Sequence, residues 1–163
     1  MKTKLFLLAG LLVFARFAFG QKETRQQKVA AVEAKVKKAV ESGRYELNID
    51  KANPMGGHTI HLTSEYTLRM SNDSAYSYLP YFGRAYSAPM NGEGGIKFSE
   101  KTTEKAVVFK DKKGYTINFK VRGADDTYRF LVTIWLNGSA SINVTSNNRQ
   151  SIEFSGELVL PDK

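Results

Sequence analysis

The chain of 163 residues has no cysteine, two histidines and one tryptophan. Disulfides, thiolate metal sites and lipid attachment through cysteine all need a thiol, so the sequence excludes all three. It also lacks a long apolar run: Leu5 to Ala15 is too short for the ~20 residues that cross a bilayer as a helix. The sequence therefore predicts no stable membrane span and a fold held by its core.

The N-terminal residues have the pattern of an export signal. Two lysines precede the apolar run, and Ala18 and Gly20 occupy the small-residue positions of a signal-peptidase site. A membrane anchor is the alternative. We predict a signal peptide over residues 1–20 and a periplasmic or secreted domain over residues 21–163.

Positive charge is concentrated in one part of the chain. The net charge of +8 includes Lys2, Lys4 and Arg16, so residues 21–163 would have +5. Most of that excess lies between Lys22 and Arg44, away from the aromatic residues. Nucleic-acid binding needs basic and aromatic side chains interleaved on one face, so we predict no nucleic-acid partner. A solvated helix face explains the charge better.

A helical pattern precedes a series of strands. Valines recur at 29, 32, 36 and 40, Thr24 and Gln27 form a capping-box pair, and Gly43 suits a left-handed helix end. The pattern then changes to period two. Strands are predicted over 45–49, 60–70, 106–110, 115–122, 128–136, 139–145 and 151–160.

Turn residues separate these strands at the spacing of a meander. Asn137-Gly138 is the strongest hairpin signal, because both residues accept the positive φ of a type I′ turn. Asp125-Asp126 is interpreted as turn chemistry. The sequence thus predicts a single α+β domain: an N-terminal helix packed on a mostly antiparallel, meander-rich β-sheet or open β-sandwich.

The two histidines, His58 and His61, stand three residues apart in "GHTIHL". On a strand, residues at this spacing point to opposite faces, so a shared metal site is disfavoured. Either imidazole could act as a general base, but no nucleophile motif or metal-ligand spacing accompanies it. We therefore predict no metal, no cofactor and no catalytic residues.

Aromatic side chains are concentrated in the stretch "YSYLPYFGRAY", Tyr76 to Tyr86, which has four tyrosines and one phenylalanine in eleven residues. It is interpreted first as a corner of the core and second as a ligand platform, with Tyr81, Phe82, Arg84 and Tyr86 as the candidate binding residues. Arg84 is expected against a ring or a carboxylate. Gly83 is expected to allow a backbone conformation closed to other residues.

The run "YLPYFGRAY" and the following "NGEGG" resemble an uncharacterised family of exported Bacteroidetes proteins, domain of unknown function number 4251. The resemblance extends over nearly all of residues 21–163. It implies export into a Gram-negative envelope and supplies no substrate, cofactor or catalytic residue.

Two functions remain open from the sequence. The first is a non-enzymatic binding or interaction module for an envelope glycan or a partner protein. The second is a small periplasmic hydrolase that uses His58 or His61 as its base. Composition favours the module, because two histidines without catalytic spacing leave an enzyme few reactive groups.

Overall fold

A computed structural model describes residues 24–86, 94–124 and 126–160. The chain divides into two units, residues 1–30 and 31–163, and all eight strands belong to the second. Among the described residues one helix precedes the strands: α1 Arg25–Glu41, β1 Arg44–Pro54, β2 Ile60–Ser71, β3 Ser74–Leu79, β4 Ile96–Lys110, β5 Gly114–Arg122, β6 Thr127–Ile134, β7 Ser139–Ser146 and β8 Ile152–Leu158.

The eight strands form a closed barrel in which each strand pairs with its neighbours in sequence. All pairings are antiparallel, and β8 returns to β1 in a register that runs from Leu47 opposite Leu158 to Pro54 opposite Ile152. The predicted fold, a helix packed on a sheet or an open β-sandwich, is therefore wrong. Closure supplies hydrogen-bond partners for both outer strands of the meander, which a sandwich would leave as edges.

The closing seam between β1 and β8 depends on a local irregularity. The register of β1 shifts between Ile49 and Lys51 against both of its neighbours, which marks a β-bulge. Gly156 lies opposite Ile49, and a Cβ at this glycine would overlap the carbonyl oxygen of Asn48. Glycine is thus required where the two backbones approach most closely.

Alternating apolar side chains fill the interior of the barrel. Phe119 and Phe130 stack face to face with their ring centres 4.9 Å apart, and Phe154 is fully buried. Strand β5 shows the alternation clearly, with Tyr115, Ile117, Phe119 and Val121 all buried. An eight-stranded barrel is just wide enough to be filled by such side chains.

Both predicted ends of α1 are confirmed. The Thr24 amide donates to Gln27 Oε1 at 2.9 Å, the Gln27 amide donates to Thr24 Oγ1 at 3.4 Å, and Gly43 has a φ of +70°. Of the valine stripe, only Val36 and Val40 are buried. Among the described residues no helix is both long and apolar enough to span a membrane.

The β6–β7 hairpin forms at the predicted place with a different turn. Gly138 has a φ of +92°, whereas Asn137 does not have a positive φ. The Gly138 amide donates to the Trp135 carbonyl, and Asn137 Oδ1 accepts from the Ser139 amide. A single left-handed glycine as the fourth residue of the turn is typical of a type I turn with a G1 bulge, so the type I′ prediction is wrong.

Candidate functional site

The segment Tyr81–Tyr86 follows β3 and lies at the end of the barrel where β8 begins. Ala85 forms an antiparallel bridge with Arg149. The Gln150 amide donates to the Arg84 carbonyl at 3.0 Å, and the Tyr86 amide donates to the Asn148 carbonyl at 2.7 Å. The backbone of this segment is therefore held against the β7–β8 connection in the manner of a short strand.

Tyr81 anchors the segment through its hydroxyl group. This hydroxyl lies 2.9 Å from the Arg84 carbonyl oxygen and 3.0 Å from the Gln150 carbonyl oxygen, so one donor joins the two paired backbones. Burial raises the pKa of Tyr81, and the positive charge of Arg149 opposes that rise. The neutral, hydrogen-bond-donating form of the hydroxyl therefore persists further into alkaline pH than in an exposed tyrosine.

Arg149 is the buried cation beside this anchor. Its residue is only 7% exposed, Nη1 donates to the Gly95 carbonyl at 2.9 Å, and the guanidinium lies 5.2 Å from the centre of the Tyr81 ring. A desolvated arginine over an aromatic ring is stabilised by the ring's negative face. Within the described residues, the arginine stacked on this ring is Arg149, whereas Arg84 is exposed.

A buried carboxylate organises the neighbouring turns. Asp126 Oδ1 accepts from the amides of Thr127 at 2.7 Å and Asn147 at 3.2 Å, and Oδ2 accepts from the amide of Asn148 at 3.2 Å. The turn role expected for Asp126 is thus extended across two connections, from β5–β6 to β7–β8. This arrangement holds the backbone that pairs with Tyr86.

The four candidate binding residues divide into two pairs. Tyr81 and Phe82 are half-buried and pack against the core, whereas Arg84 and Tyr86 are exposed, Tyr86 to 69%. All four belong to one continuous segment on the same end of the barrel. The segment therefore combines two packed rings with two accessible side chains.

Gly83 is required for space and not for its backbone angle. It lacks a positive φ, so the expectation of a conformation closed to other residues is wrong. A Cβ at this position would lie 2.7 Å from the Tyr81 hydroxyl oxygen, which is closer than real Cβ contacts allow. The glycine thus makes room for the anchoring hydroxyl.

The histidines lie elsewhere and apart from reactive partners. His58 is exposed in the connection between β1 and β2, and His61 is exposed on β2 opposite Lys51. Across residues 24–86, 94–124 and 126–160, neither imidazole has a hydrogen bond to a carboxylate or hydroxyl group. The same residues contain no group of three or more histidine, aspartate or glutamate side chains that could hold a metal ion.

A second aromatic surface lies on the outside of β2 and β3. Tyr66 and Tyr78 stack with ring centres 5.6 Å apart, Lys97 lies 5.1 Å from the Tyr78 ring centre, and Arg69 lies 4.4 Å from that of Tyr76. These contacts were not predicted from the sequence, although the alternation in "YSYL" indicates that the rings of Tyr76 and Tyr78 share one face of the strand. Arg69 and Lys97 thus already occupy positions over the rings of Tyr76 and Tyr78.

A cleft of about 640 Å³ lies at the opposite end of the barrel. Glu33 and Lys37 of α1 line one side, and Asp111, Lys112 and the Trp135–Ser139 turn line the other. Its lining contains two lysines and two carboxylates, and neither histidine is part of it. The charges of the lining therefore do not favour one class of ligand.

Comparison with known proteins identifies a family and a fold. The family described as domain of unknown function (DUF4251) matches residues 27–158. The crystal structure of a DUF4251 family protein from Bacteroides eggerthii DSM 20697 aligns with a TM-score of 0.63 and 18% identity, over 80% of this chain and 89% of that one. No curated protein matches the sequence. At such low identity the structural likeness shows the fold alone.

Proposed function

Because the chain belongs to the DUF4251 family, whose description gives no activity, we propose a function from the geometry of the segment Tyr81–Tyr86. The protein is an exported, non-enzymatic binding module of the bacterial envelope. Arg84 and Tyr86 contact its ligand, while Tyr81 and Phe82 hold the segment in place.

One observation carries this proposal: the exposed side chains of Arg84 and Tyr86 belong to backbone that is held by hydrogen bonds to other parts of the chain. The carbonyl of Arg84 accepts hydrogen bonds from the Tyr81 hydroxyl and the Gln150 amide, and the amide of Tyr86 donates to Asn148. Arg84 and Tyr86 themselves remain exposed. A ligand would therefore have to order two side chains but no backbone, which lowers the entropic cost of binding.

The two exposed groups fit an acidic glycan. A guanidinium makes paired hydrogen bonds with a carboxylate, and a tyrosine ring offers a flat apolar face with a polar edge to a sugar ring. Arg84 and Tyr86 are two residues apart in an extended segment, so their side chains project on the same side. A partner protein that presents a carboxylate beside an apolar side chain is the alternative occupant.

Export is part of the proposal and is supported by the sequence. The signal pattern of residues 1–20 lies outside the residues that the structure describes. Intact-mass measurement of the protein recovered from the periplasm or medium tests it. We expect the mass of a chain that begins at Gln21, whereas the mass of a chain that still includes Met1 would contradict cleavage.

A glycan array tests the ligand class. Purified protein should bind acidic envelope glycans, and Arg84→Ala and Tyr86→Ala should each lower the apparent affinity at least tenfold, the effect of about 1.4 kcal/mol. The matched controls are Arg44→Ala and Tyr78→Ala, which remove the same residue types from other parts of the barrel. Equal losses in the controls would contradict the assignment of the site.

The same variants distinguish a protein partner from a glycan. If the array shows no binding, a pull-down from envelope extract with the parent and with Tyr86→Ala tests the alternative. A protein captured by the parent but not by Tyr86→Ala would support the same binding site, with a protein instead of a glycan as its ligand. Failure of both experiments would overturn the proposed function.

A further inference from the structure

Strand β4 extends beyond the end of β3, the strand that pairs with one side of it. Residues Ile96–Lys101 pair with β3, whereas residues 102–103 and 106–110 pair with β5 alone. The Thr102 amide still donates to the Asp73 carbonyl at 2.7 Å. Beyond that point, no strand among the described residues pairs with the other side of β4. The barrel is closed by β1 and β8, yet it keeps an open edge along this part of β4.

Two irregularities bound the regular part of this edge. The pairing of β4 with β5 shifts between Thr103 and Ala106, where Glu104 has a φ of +52°. The β4–β5 turn begins after Lys110. The regular stretch Ala106–Lys110, here called the β4 edge, is therefore five residues long.

The β4 edge is exposed on both faces and apolar at its centre. Val107 is 50% exposed, Val108 47% and Phe109 44%. Edge strands are ordinarily protected by charges, proline, a bulge or a covering element, because unpaired backbone groups recruit another strand. Here no charge falls within the central three residues, so the edge has the properties of an interaction surface.

We propose that the β4 edge pairs with the same edge of a second copy of this chain, antiparallel about a two-fold axis. Full use of a five-residue edge places its middle residue, Val108, on that axis. Val107 of each copy then lies opposite Phe109 of the other. Pairs of aromatic and β-branched residues across antiparallel strands are favourable.

Charged residues at the two ends of the β4 edge favour a second copy of this chain as its partner. Lys105 lies directly before the β4 edge and Asp111 directly after it, at the start of the β4–β5 turn. The register centred on Val108 therefore brings Lys105 of each copy next to Asp111 of the other, so opposite charges flank the apolar centre at both ends. A slip of one residue in either direction instead places Lys105 opposite Lys110 or opposite Lys112. Both slips put like charges together, which disfavours them. The flanking charges thus favour the register centred on Val108 over both of its one-residue neighbours, and the same surface of each copy forms the contact, as in a two-fold interface.

Contacts within one copy hold the β4 edge in position. The Lys105 ammonium lies 2.5 Å from the Asn72 carbonyl oxygen. The Phe109 ring centre lies 4.9 Å from that of Tyr115 and 5.4 Å from the Lys37 ammonium. Because these contacts form without a partner, little ordering is required when two copies associate.

Sedimentation velocity over a micromolar to millimolar range tests this proposal on the purified protein. The parent should pass from monomer to dimer as concentration rises. Val108→Lys places lysine against lysine on the axis and should raise the dissociation constant at least tenfold. Leu131→Lys is the matched control, since Leu131 is an outward residue of β6 with a similar exposure of 44%. Circular dichroism establishes that both variants are folded.

Charge exchange tests the register itself. Lys105→Asp and Asp111→Lys should each weaken the dimer, and the double variant should restore it to within about threefold of the parent, because the flanking pairs are then reversed but still opposite. Hydrogen exchange should slow as concentration rises at those amides of the β4 edge that point away from β5, whereas the alternate amides, which already pair with β5, should change little. A monomer at every concentration, or a dimer that Val108→Lys leaves unchanged, would overturn the proposal.

Discussion

The guanidinium of Arg149 lies 5.2 Å from the centre of the Tyr81 ring and joins the β7–β8 connection to the segment after β3. The same arginine donates to Gly95, close to the start of β4. Three separate parts of the chain therefore meet at one buried cation. Exposed Arg84 and Tyr86 depend on this meeting point for their positions.

The Tyr81–Arg149 pair should show measurable coupling. Tyr81→Leu and Arg149→Met should each lower the free energy of unfolding, and the double variant should lose less than the sum by about 1–2 kcal/mol, because a largely desolvated cation–π contact is lost only once. Urea unfolding of the four proteins gives the coupling energy. Additivity within about 0.5 kcal/mol would show that the contact contributes nothing.

Substitution of Gly83 should disturb Tyr81 through a steric contact. Gly83→Ala brings a Cβ to 2.7 Å from the Tyr81 hydroxyl oxygen, so we expect the hydroxyl to shift and its two hydrogen bonds to weaken, at a cost of about 1–3 kcal/mol. Thermal or urea unfolding measures the loss. In a Tyr81→Phe background the same substitution should cost less. An equal cost in both backgrounds would place the strain elsewhere.

Tyr115 should make stability fall at alkaline pH. Burial, the 2.7 Å hydrogen bond to Glu41 and the negative charge of Glu41 together raise the pKa of Tyr115 to about 12. Since the folded pKa lies above the ordinary tyrosine value of about 10, this contribution is complete below pH ~10 and is lost as pH rises towards ~12.

The Tyr115→Phe variant isolates that contribution. Its free energy of unfolding should decline less steeply than the parent's between about pH 10 and 12, as measured by urea unfolding at several pH values. Tyr78→Phe, which changes a ring that is 49% exposed, is the control and should follow the parent. Parallel curves for Tyr115→Phe and the parent would contradict the role of the Tyr115 hydroxyl.

Local features of the fold were predictable from the sequence, whereas its closure was not. The Thr24–Gln27 capping box and the left-handed Gly43 depend on residues close in sequence, and both were predicted. The pairing of Leu47 with Leu158 depends on residues more than a hundred positions apart. Alternating apolar residues are common to sandwiches and barrels, so the pattern alone could not distinguish them.

The same limit applies to the candidate site. The aromatic run could be located from composition, and Tyr81, Phe82, Arg84 and Tyr86 lie together as a segment must. Their division into packed and exposed pairs could not be predicted, because Tyr81 makes contacts with Gln150 and Arg149, more than sixty positions away in the sequence. Asp126 also gains its partners at Asn147 and Asn148 through the fold, and only its local turn role could be predicted.

Urea unfolding of Phe82→Ala beside Tyr86→Ala tests most directly whether the segment contains separate anchoring and contact residues. Phe82→Ala should lower the free energy of unfolding by about 2–3 kcal/mol, somewhat less than for a fully buried phenylalanine, because its half-buried ring packs against the core. Tyr86→Ala should stay within about 0.5 kcal/mol of the parent, since its ring is 69% exposed. A neutral Phe82→Ala, or an equal loss in Tyr86→Ala, would contradict that division.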